Sequence, residues 1–396
     1  MRVLLAGPFP RNIDAPRGGV AAACGNLAVG LSGLPEVNLS VVANEDRAVN
    51  RPSDTEIRQL MELPGSARQG ISTTFVPCRG GLSGWLKDIH GTVLREIKRQ
   101  EVDVVHVQGI SSLAARLPQS LLTVHGIAEG DAWSAGRSVK RYISAAAMFA
   151  LEGIPRRRAR RVISISPYTL AHLGRSSTGR VWEIPNAIHP AFFESDVCTS
   201  DREKGLIVYA GVVAPRKNVL GLINSFEIAR NEHPQAHLLI VGHGHDSEYG
   251  QRCKELIDRR GLRGSVTVSG PVIAPDLAAQ LRSAAVLALS SMHENAPMVI
   301  AEALASGTPV VSTRVGAAEG MISGLPGCRT VQPGDEGAYA HELSAALEFF
   351  ATQPRSVLRA RACKYSPRRI AQQTLRVYQE IAKREDLPTP SDRTSS

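Results

Sequence analysis

The 396-residue sequence contains no Asp-x-Asp pair, so a divalent cation has no obvious paired ligands. Its six cysteines (Cys24, Cys78, Cys198, Cys253, Cys328 and Cys363) stand at least 35 positions apart, which argues against a zinc site or a disulfide framework and suits a reducing cytosol. No apolar run approaches the roughly 20 residues of a membrane-spanning helix. The opening "MRVLLAGPFP" is too short, and too soon broken by proline, for a signal peptide. A cytoplasmic protein is expected, soluble or peripheral at the inner face of a membrane. "GPFPRN" after the first apolar run lacks the G-x-G-x-x-G turn of an NAD-dependent dehydrogenase.

What is present is a long series of short Val-, Ile- and Leu-rich runs, each bounded by Gly, Pro or a polar turn and separated by stretches of helical period. That is the pattern of parallel strands buried on both faces by helices. Seven such runs lie between residues 2 and 186, from "RVLLAG" to "RVWEIPN", and six between 206 and 333, from "LIVYAG" to "RTVQP". The fold class expected is α/β, two doubly wound Rossmann-like domains facing across a cleft. The first would cover 1–190, a linker 191–204, and the second 205–365. A C-terminal helix over 366–385 could belong to either domain, crossing back to the first, and 386–396 reads as a disordered tail. Such sheets bind ligands at the carboxyl ends of their strands. That rule selects Gly7 onward, His106, His125, Ser166, Asn186, 211–217, 242–244, Gly270 and Glu294.

The net charge of +9 is unevenly placed, with 23 Lys/Arg against 15 Asp/Glu in residues 1–190 and 23 against 22 thereafter. The segment Arg137–Arg161 alone holds eight cations and one acid, Glu152. Its helical spacing of Val139, Tyr142, Ile143, Ala146 and Phe149 fits an amphipathic helix with solvated charges. It fits equally a surface docking on anionic lipid or on a polyprenyl-diphosphate acceptor. Few aromatics interleave the run, which argues against nucleic acid.

The stretch "HENAPMVIAEALASG" carries two carboxylates at the ends of an otherwise apolar segment. Glu302 would sit in mid-helix, with Pro297 in the first turn, Asn295 as N-cap and Gly307-Thr308-Pro309 as the stop. Met298 and Ser306 occupy its i±4 positions, so no local counter-ion exists. Either it reaches solvent or a distant arginine, or a ligand's vicinal hydroxyls supply the missing donors. Glu294 precedes a helix N-terminus, a natural phosphate cradle. A carboxylate there suits a site where positive charge develops, as on a sugar whose glycosidic bond is breaking. The alternative is a carboxylate that caps the helix or faces water.

"HENAPMVIAEALASGTPVVST", with its E-x7-E spacing, resembles the donor-site signature of the retaining glycosyltransferase family 4, whose members have the two-Rossmann GT-B architecture. "GGV" at Gly18–Val20 resembles the family's first glycine loop, "TVHG" at Thr123–Gly126 its histidine strand, and "IPNAI" at Ile184–Ile188 the stretch before the hinge. "YAGVVAPRKN" at Tyr209–Asn218 resembles its phosphate loop, and "LLIVGHG" at Leu238–Gly244 the strand that follows. The resemblance implies that Glu302 binds the ribose hydroxyls of a sugar nucleotide. Glu294 would lie at the donor sugar's reacting face. Lys217, with Arg216, would neutralise the diphosphate, and His125 would touch the sugar. Gly18 and Gly19 would admit the backbone to the reaction centre, the loop at Gly270 would help hold the base, and Asn295, Ala296, Pro297 and Met298 would line the sugar pocket.

Two departures from that pattern matter. Val212 stands where the family often has an arginine, so Arg216 must compensate or phosphate binding weakens. E-N-A-P replaces the family's common E-G-F-G, with Asn295 and Ala296 in place of glycine and an aromatic at the sugar pocket, so the resemblance does not fix the donor sugar. The function expected is transfer of a sugar from a UDP- or GDP-sugar to an acceptor glycan or lipid-linked glycan with retention, without metal or cofactor, in cell-envelope or exopolysaccharide synthesis. A GT-B sugar-nucleotide epimerase and a non-catalytic sugar-nucleotide or glycan-binding module are the alternatives.

Overall fold

The computed structural model describes residues 1–44, 71–76, 81–117, 119–126, 146, 149–173, 179–194, 204–348 and 355–385. The strands are β1 (Arg2–Pro8), β2 (Asn38–Asn44), β3 (Ser72–Val76), β4 (Val104–Gln108), β5 (Leu121–Val124), β6 (Arg161–Ser164) and β7 (Arg180–Glu183), followed by β8 (Leu206–Ala210), β9 (His237–Val241), β10 (Val266–Ser269), β11 (Val286–Leu289), β12 (Val310–Thr313) and β13 (Arg329–Val331). They form two wholly parallel sheets, one in the order β3-β2-β1-β4-β5-β6-β7 and one in the order β10-β9-β8-β11-β12-β13. The runs of consecutive buried residues in the central strands, five in a row in both β1 and β8, follow from helices covering both faces.

Strand order reverses between β1 and β4 in the first sheet and between β8 and β11 in the second. Those two reversal points are where an open α/β sheet leaves a crevice beyond the carboxyl ends of its strands. Here the loops that follow β1, β5, β8 and β11 line one shared cleft of about 530 Å³.

The helix Pro367–Glu385 packs on the first sheet's layer, with Ile370, Ala371, Leu375 and Tyr378 joining the core around Leu27, Leu31 and Val104. Between the sheets, the amide of Ala274 donates to the carbonyl of Asp14 (2.7 Å) and that of Ile188 to Tyr365 (3.1 Å). Cys24, Cys253, Cys328 and Cys363 are free thiols. No helix among the described residues is long and apolar enough to cross a membrane.

The basic segment departs from its expected form. Phe149–Gly153 is a π turn running into the short helix Ile154–Arg158, and Arg156 is buried at 7% exposure, so it is not part of the charged face. Glu152 ties this segment down by accepting from the Ser111 amide (2.6 Å) and the Ser112 hydroxyl (2.9 Å). Arg137, Lys140 and Arg141 lie outside the described residues, as does the tail 386–396.

Candidate functional site

The site is built from strand ends. After β8 the chain extends through Val212 to a 3-10 turn, Pro215–Lys217, and Asn218 adopts the left-handed conformation (φ 50°) that lets the following helix start at Val219. The loop after β11 clamps this turn: the Ser290 hydroxyl donates to the carbonyls of Lys217 (3.0 Å) and Asn218 (3.2 Å), and the Met292 amide donates to Arg216 (2.8 Å). Two cations are thereby held against Glu294. Lys217 Nζ donates to Glu294 Oε1, which also accepts from the Ser291 hydroxyl (2.7 Å). Arg216 Nη1 donates to Glu294 Oε2 (3.3 Å) and to the His293 carbonyl (2.6 Å).

Burial pushes the Glu294 carboxyl up, but Lys217 and Arg216, together with hydrogen bonds from Lys217 and Ser291, outweigh it and hold the group below its ordinary value. Glu294 is therefore a carboxylate throughout the neutral range. Val212, where the resemblance led to an expected arginine, is 42% exposed on the cleft wall. Arg216 is the cation that reaches in.

Glu302 behaves oppositely. It sits in the helix Met298–Ala305 and is half-buried on the cleft wall, and its carboxylate has no hydrogen bond or ion pair among the described residues. Burial pushes its carboxyl up to about 7. The helix begins at Met298 with Pro297 preceding it, three residues after the expected cap, and no side chain caps it. Asn295 is thus not the N-cap. Its carboxamide instead lies across the cleft against Gly126 of the first domain, close enough that a Cβ on Gly126 would stand 3.0 Å from Asn295 Nδ2. Asn295 Oδ1 is buried and has no hydrogen-bond partner among the described residues.

From the first domain, His125 lines the cleft just beyond β5. Burial lowers its pKa to about 4 against the smaller, opposing effect of a side-chain hydrogen bond with Asn186, so the imidazole is neutral. Gly18, at φ 91°, opens the helix Gly19–Ser32, and a Cβ on Gly19 would meet nothing within 4 Å. The backbone of the helix start is therefore bare toward the cleft. Gly242, at φ 142°, brings the end of β9 so near Gly211 that a Cβ would collide with its carbonyl.

Of the residues singled out from sequence, Gly18, Gly19, His125, Arg216, Lys217, Glu294, Asn295, Ala296, Pro297, Met298 and Glu302 share this one cleft, while Gly270 lies just outside it and Pro271 and Val272 line it instead. His106 does not end its strand: it is mid-strand in β4 and fully buried, with Gln108 as the closing residue. Sequence reasoning missed Ser291 as a donor to Glu294. It also missed Asp14 and His189, which line the cleft with Oδ1 and Nε2 2.9 Å apart. The only signal for those two was their place after an apolar run. Among the described residues no three of His, Cys, Asp or Glu gather as a metal site would require.

Two family models match the chain, "Glycosyltransferase Family 4" over residues 17–192 and "Glycosyl transferases group 1" over 204–348, one for each sheet. The D-inositol 3-phosphate glycosyltransferase of Paenarthrobacter aurescens is 35% identical over 118 residues, 30% of this chain and 29% of that protein. The MMP alpha-(1->4)-mannosyltransferase of Mycolicibacterium hassiacum is 30% identical over 187 residues, 45% of this chain and 44% of that protein. The chain thus spans less than half the length of these curated relatives. Among solved structures, Anabaena HepE in complex with UDP and glucose superposes with a TM-score of 0.69 at 18% identity, covering 96% of this chain and 100% of that one. Sucrose-phosphate synthase from Thermosynechococcus elongatus superposes with a TM-score of 0.69 at 20% identity, covering 96% and 99%. With two doubly wound sheets meeting at one cleft, and with both halves matched by the paired family models, the chain belongs to the GT4-type glycosyltransferases of GT-B fold.

Proposed function

We propose that this protein transfers a hexose from a nucleotide-diphosphate donor to an acceptor hydroxyl with retention of configuration. The observation that carries this is the pairing, in one cleft, of two cations held on Glu294 with a second carboxylate, Glu302, that has no partner among the described residues. Lys217, Arg216 and the uncapped helix start at Met298 make a positive field suited to a diphosphate leaving group, and they take the place of a metal ion. Glu302 accepts from the two vicinal hydroxyls of a ribose. As the diphosphate leaves, positive charge grows on the sugar. Glu294, ionised and drawn out from under its cations by the competing phosphate, supports that charge. His125 and Asn295 contact the sugar.

A UDP-sugar is the donor favoured, since HepE was solved with UDP and glucose; a GDP-sugar is the other candidate. The acceptor is a glycan or lipid-linked glycan of cell-envelope or exopolysaccharide synthesis, met at the cytoplasmic face of the membrane. Leu151 and Ile154, 37% and 39% exposed beside the exposed Arg157 and Arg158, supply an apolar and cationic docking face. Flotation with anionic vesicles tests that part, and binding that survives charge reversal at Arg157 and Arg158 would exclude it.

A thermal-shift panel of UDP-, GDP- and ADP-sugars tests the donor. A ligand at a hundred times its Kd stabilises the fold by about 2.7 kcal/mol. Flat responses to all three would overturn the reading, and release of free nucleotide with an epimerised sugar would replace transfer by epimerisation.

A further inference from the structure

At the amino ends of the first sheet's strands, away from the cleft, two arginines stand side by side. Arg161 opens β6 and Arg180 opens β7, and the two are register partners on neighbouring strands. Like charges so placed repel and cost a sheet stability. The strands are nonetheless drawn tightly together there. The Arg180 amide donates to the Arg160 carbonyl (2.8 Å), and a Cβ on Gly179 would stand 2.4 Å from the carbonyl oxygens of Ala159 and Arg160. Arg160, Arg161 and Arg180 line a cavity of about 150 Å³ that is completed by Trp182 of β7 and by Glu380 and Ile381 of the helix Pro367–Glu385. Each strand's four residues, about 13 Å at 3.3 Å per residue, separate this cavity from Ile165 and Asn186, which line the cleft beyond the other ends of the same strands.

Two of the three guanidiniums are held in place by protein groups. Arg180 lies over the Trp182 ring, 5.1 Å from its centroid, and its Nη1 donates to Glu380 Oε1. The Trp182 indole N–H donates to the other oxygen, Glu380 Oε2 (3.3 Å). Arg161 Nη1 donates to the Gln119 carbonyl (2.8 Å). A guanidinium carries five N–H donors, and one such anchor does not exhaust them. Arg160 has no side-chain hydrogen bond or ion pair among the described residues. A structural ion pair would need one arginine for Glu380, and the cavity has three. Three cations against one carboxylate leave a charge of +2 around it. A phosphate monoester carries about −1.5 to −2 at neutral pH. Its oxygens also fit the planar donor fork of a guanidinium in bidentate fashion.

We propose that Arg160, Arg161 and Arg180 form an anion site, remote from the cleft, that binds the phosphate monoester group of a ligand. Trp182 and Glu380 set the plane of Arg180, and the bound phosphate relieves the repulsion between the paired arginines. The phosphate comes either from a soluble phosphate ester or from a lipid head group, met on the side of the domain where Leu151 and Ile154 of the preceding segment are exposed. The site does not rest on the proposed sugar transfer, because none of its residues lines the cleft.

The experiment has two arms on the full-length protein: calorimetric titration with glycerol 3-phosphate, and co-sedimentation with phosphatidylcholine vesicles with and without phosphatidic acid. Arg160→Gln should weaken binding about fivefold, the upper range for a solvent-exposed charge pair. Its Tm should stay near that of the wild type, since that side chain has no bond to lose. Glu380→Gln removes the competing carboxylate and should strengthen binding by a similar factor, a gain that a merely structural Arg180–Glu380 pair does not predict. Lys217→Ala, which takes a cation from the cleft, should leave binding unchanged. These signs on vesicles, with or without the soluble probe, make the ligand a lipid head group; on glycerol 3-phosphate alone they make it a soluble ester. No dependence on Arg160 and Glu380 in either arm, whether nothing binds or every variant binds alike, overturns the site. Binding that is lost in Lys217→Ala and kept in Arg160→Gln puts the phosphate in the cleft and overturns it as well.

Discussion

Lys217 and Glu294, 77 residues apart in the chain, form an ion pair in which both groups are largely shielded from water, and Arg216 reaches the other oxygen of the same carboxylate. Pairing offsets the cost of burying each charge, but it also leaves the cations committed. A diphosphate must compete for them, which links phosphate arrival to release of the carboxylate.

Lys217→Ala should therefore lower donor kcat/KM by at least about tenfold, near 1.4 kcal/mol of lost transition-state stabilisation. Arg216 and Ser291 still satisfy Glu294, so the fold should survive with a modest fall in Tm. Steady-state kinetics alongside a melting curve check both halves, and turnover equal to wild type would remove Lys217 from the leaving-group site.

The two carboxylates predict opposite responses to pH. Glu302 has its folded pKa raised to about 7, above an unfolded value of 4.5. A raised acid binds more protons in the folded state, so its favourable contribution is complete below about 4.5 and is lost as pH rises through about 7. Glu302→Gln should melt higher than wild type at pH 8 and equal to it at pH near 4. Donor affinity should run the other way, because ribose hydroxyls donate to the ionised carboxylate. Affinity should rise from pH 6 to 8 in the wild type and stay flat and weak in Glu302→Gln. Calorimetric titration across that range decides it.

The strands were legible because each is an apolar run closed by a turn, and a buried parallel strand has no other way to look. The architecture followed from their alternation with helices. Contacts between distant segments were not legible. Lys217 and Glu294 were marked by resemblance, yet nothing in their spacing said that they bond one another. His106 was selected as a strand-end residue, because the partners that bury it mid-strand, Tyr378 and Thr123, lie 272 and 17 positions away. Arg156 was counted with its exposed neighbours, since composition cannot tell which arginine of a run turns inward. Asn295 has the chemistry of a cap, but the helix begins only after Pro297, and its carboxamide meets the other domain instead.

Asn295 carries a prediction of its own. Its Oδ1 is buried without a partner among the described residues, on the wall where the sugar is proposed to sit, so a donor sugar that supplies a hydroxyl there removes an unpaired acceptor. Asn295→Gly should leave the thermal shift produced by a free nucleoside diphosphate unchanged while reordering the shifts produced by a set of nucleotide-sugars that share its base. Equal losses for the free nucleotide and all its sugars would mean that Asn295 serves the loop and not the sugar.

The final prediction concerns how the C-terminal helix is held against the first domain. Gly30 faces the start of Pro367–Glu385 so closely that a Cβ would collide with the Pro367 carbonyl and stand 3.0 Å from the Ala371 side chain. On an isolated helix, Gly30→Ala would gain about 1 kcal/mol of propensity. Here the added methyl must push a backbone carbonyl aside, at about 1–3 kcal/mol or more. Gly30→Ala should therefore lower Tm, and protease should cut the C-terminal helix sooner than in the wild type. A rise in Tm would mean that the helix re-seats without loss and that Gly30 is not what sets its approach.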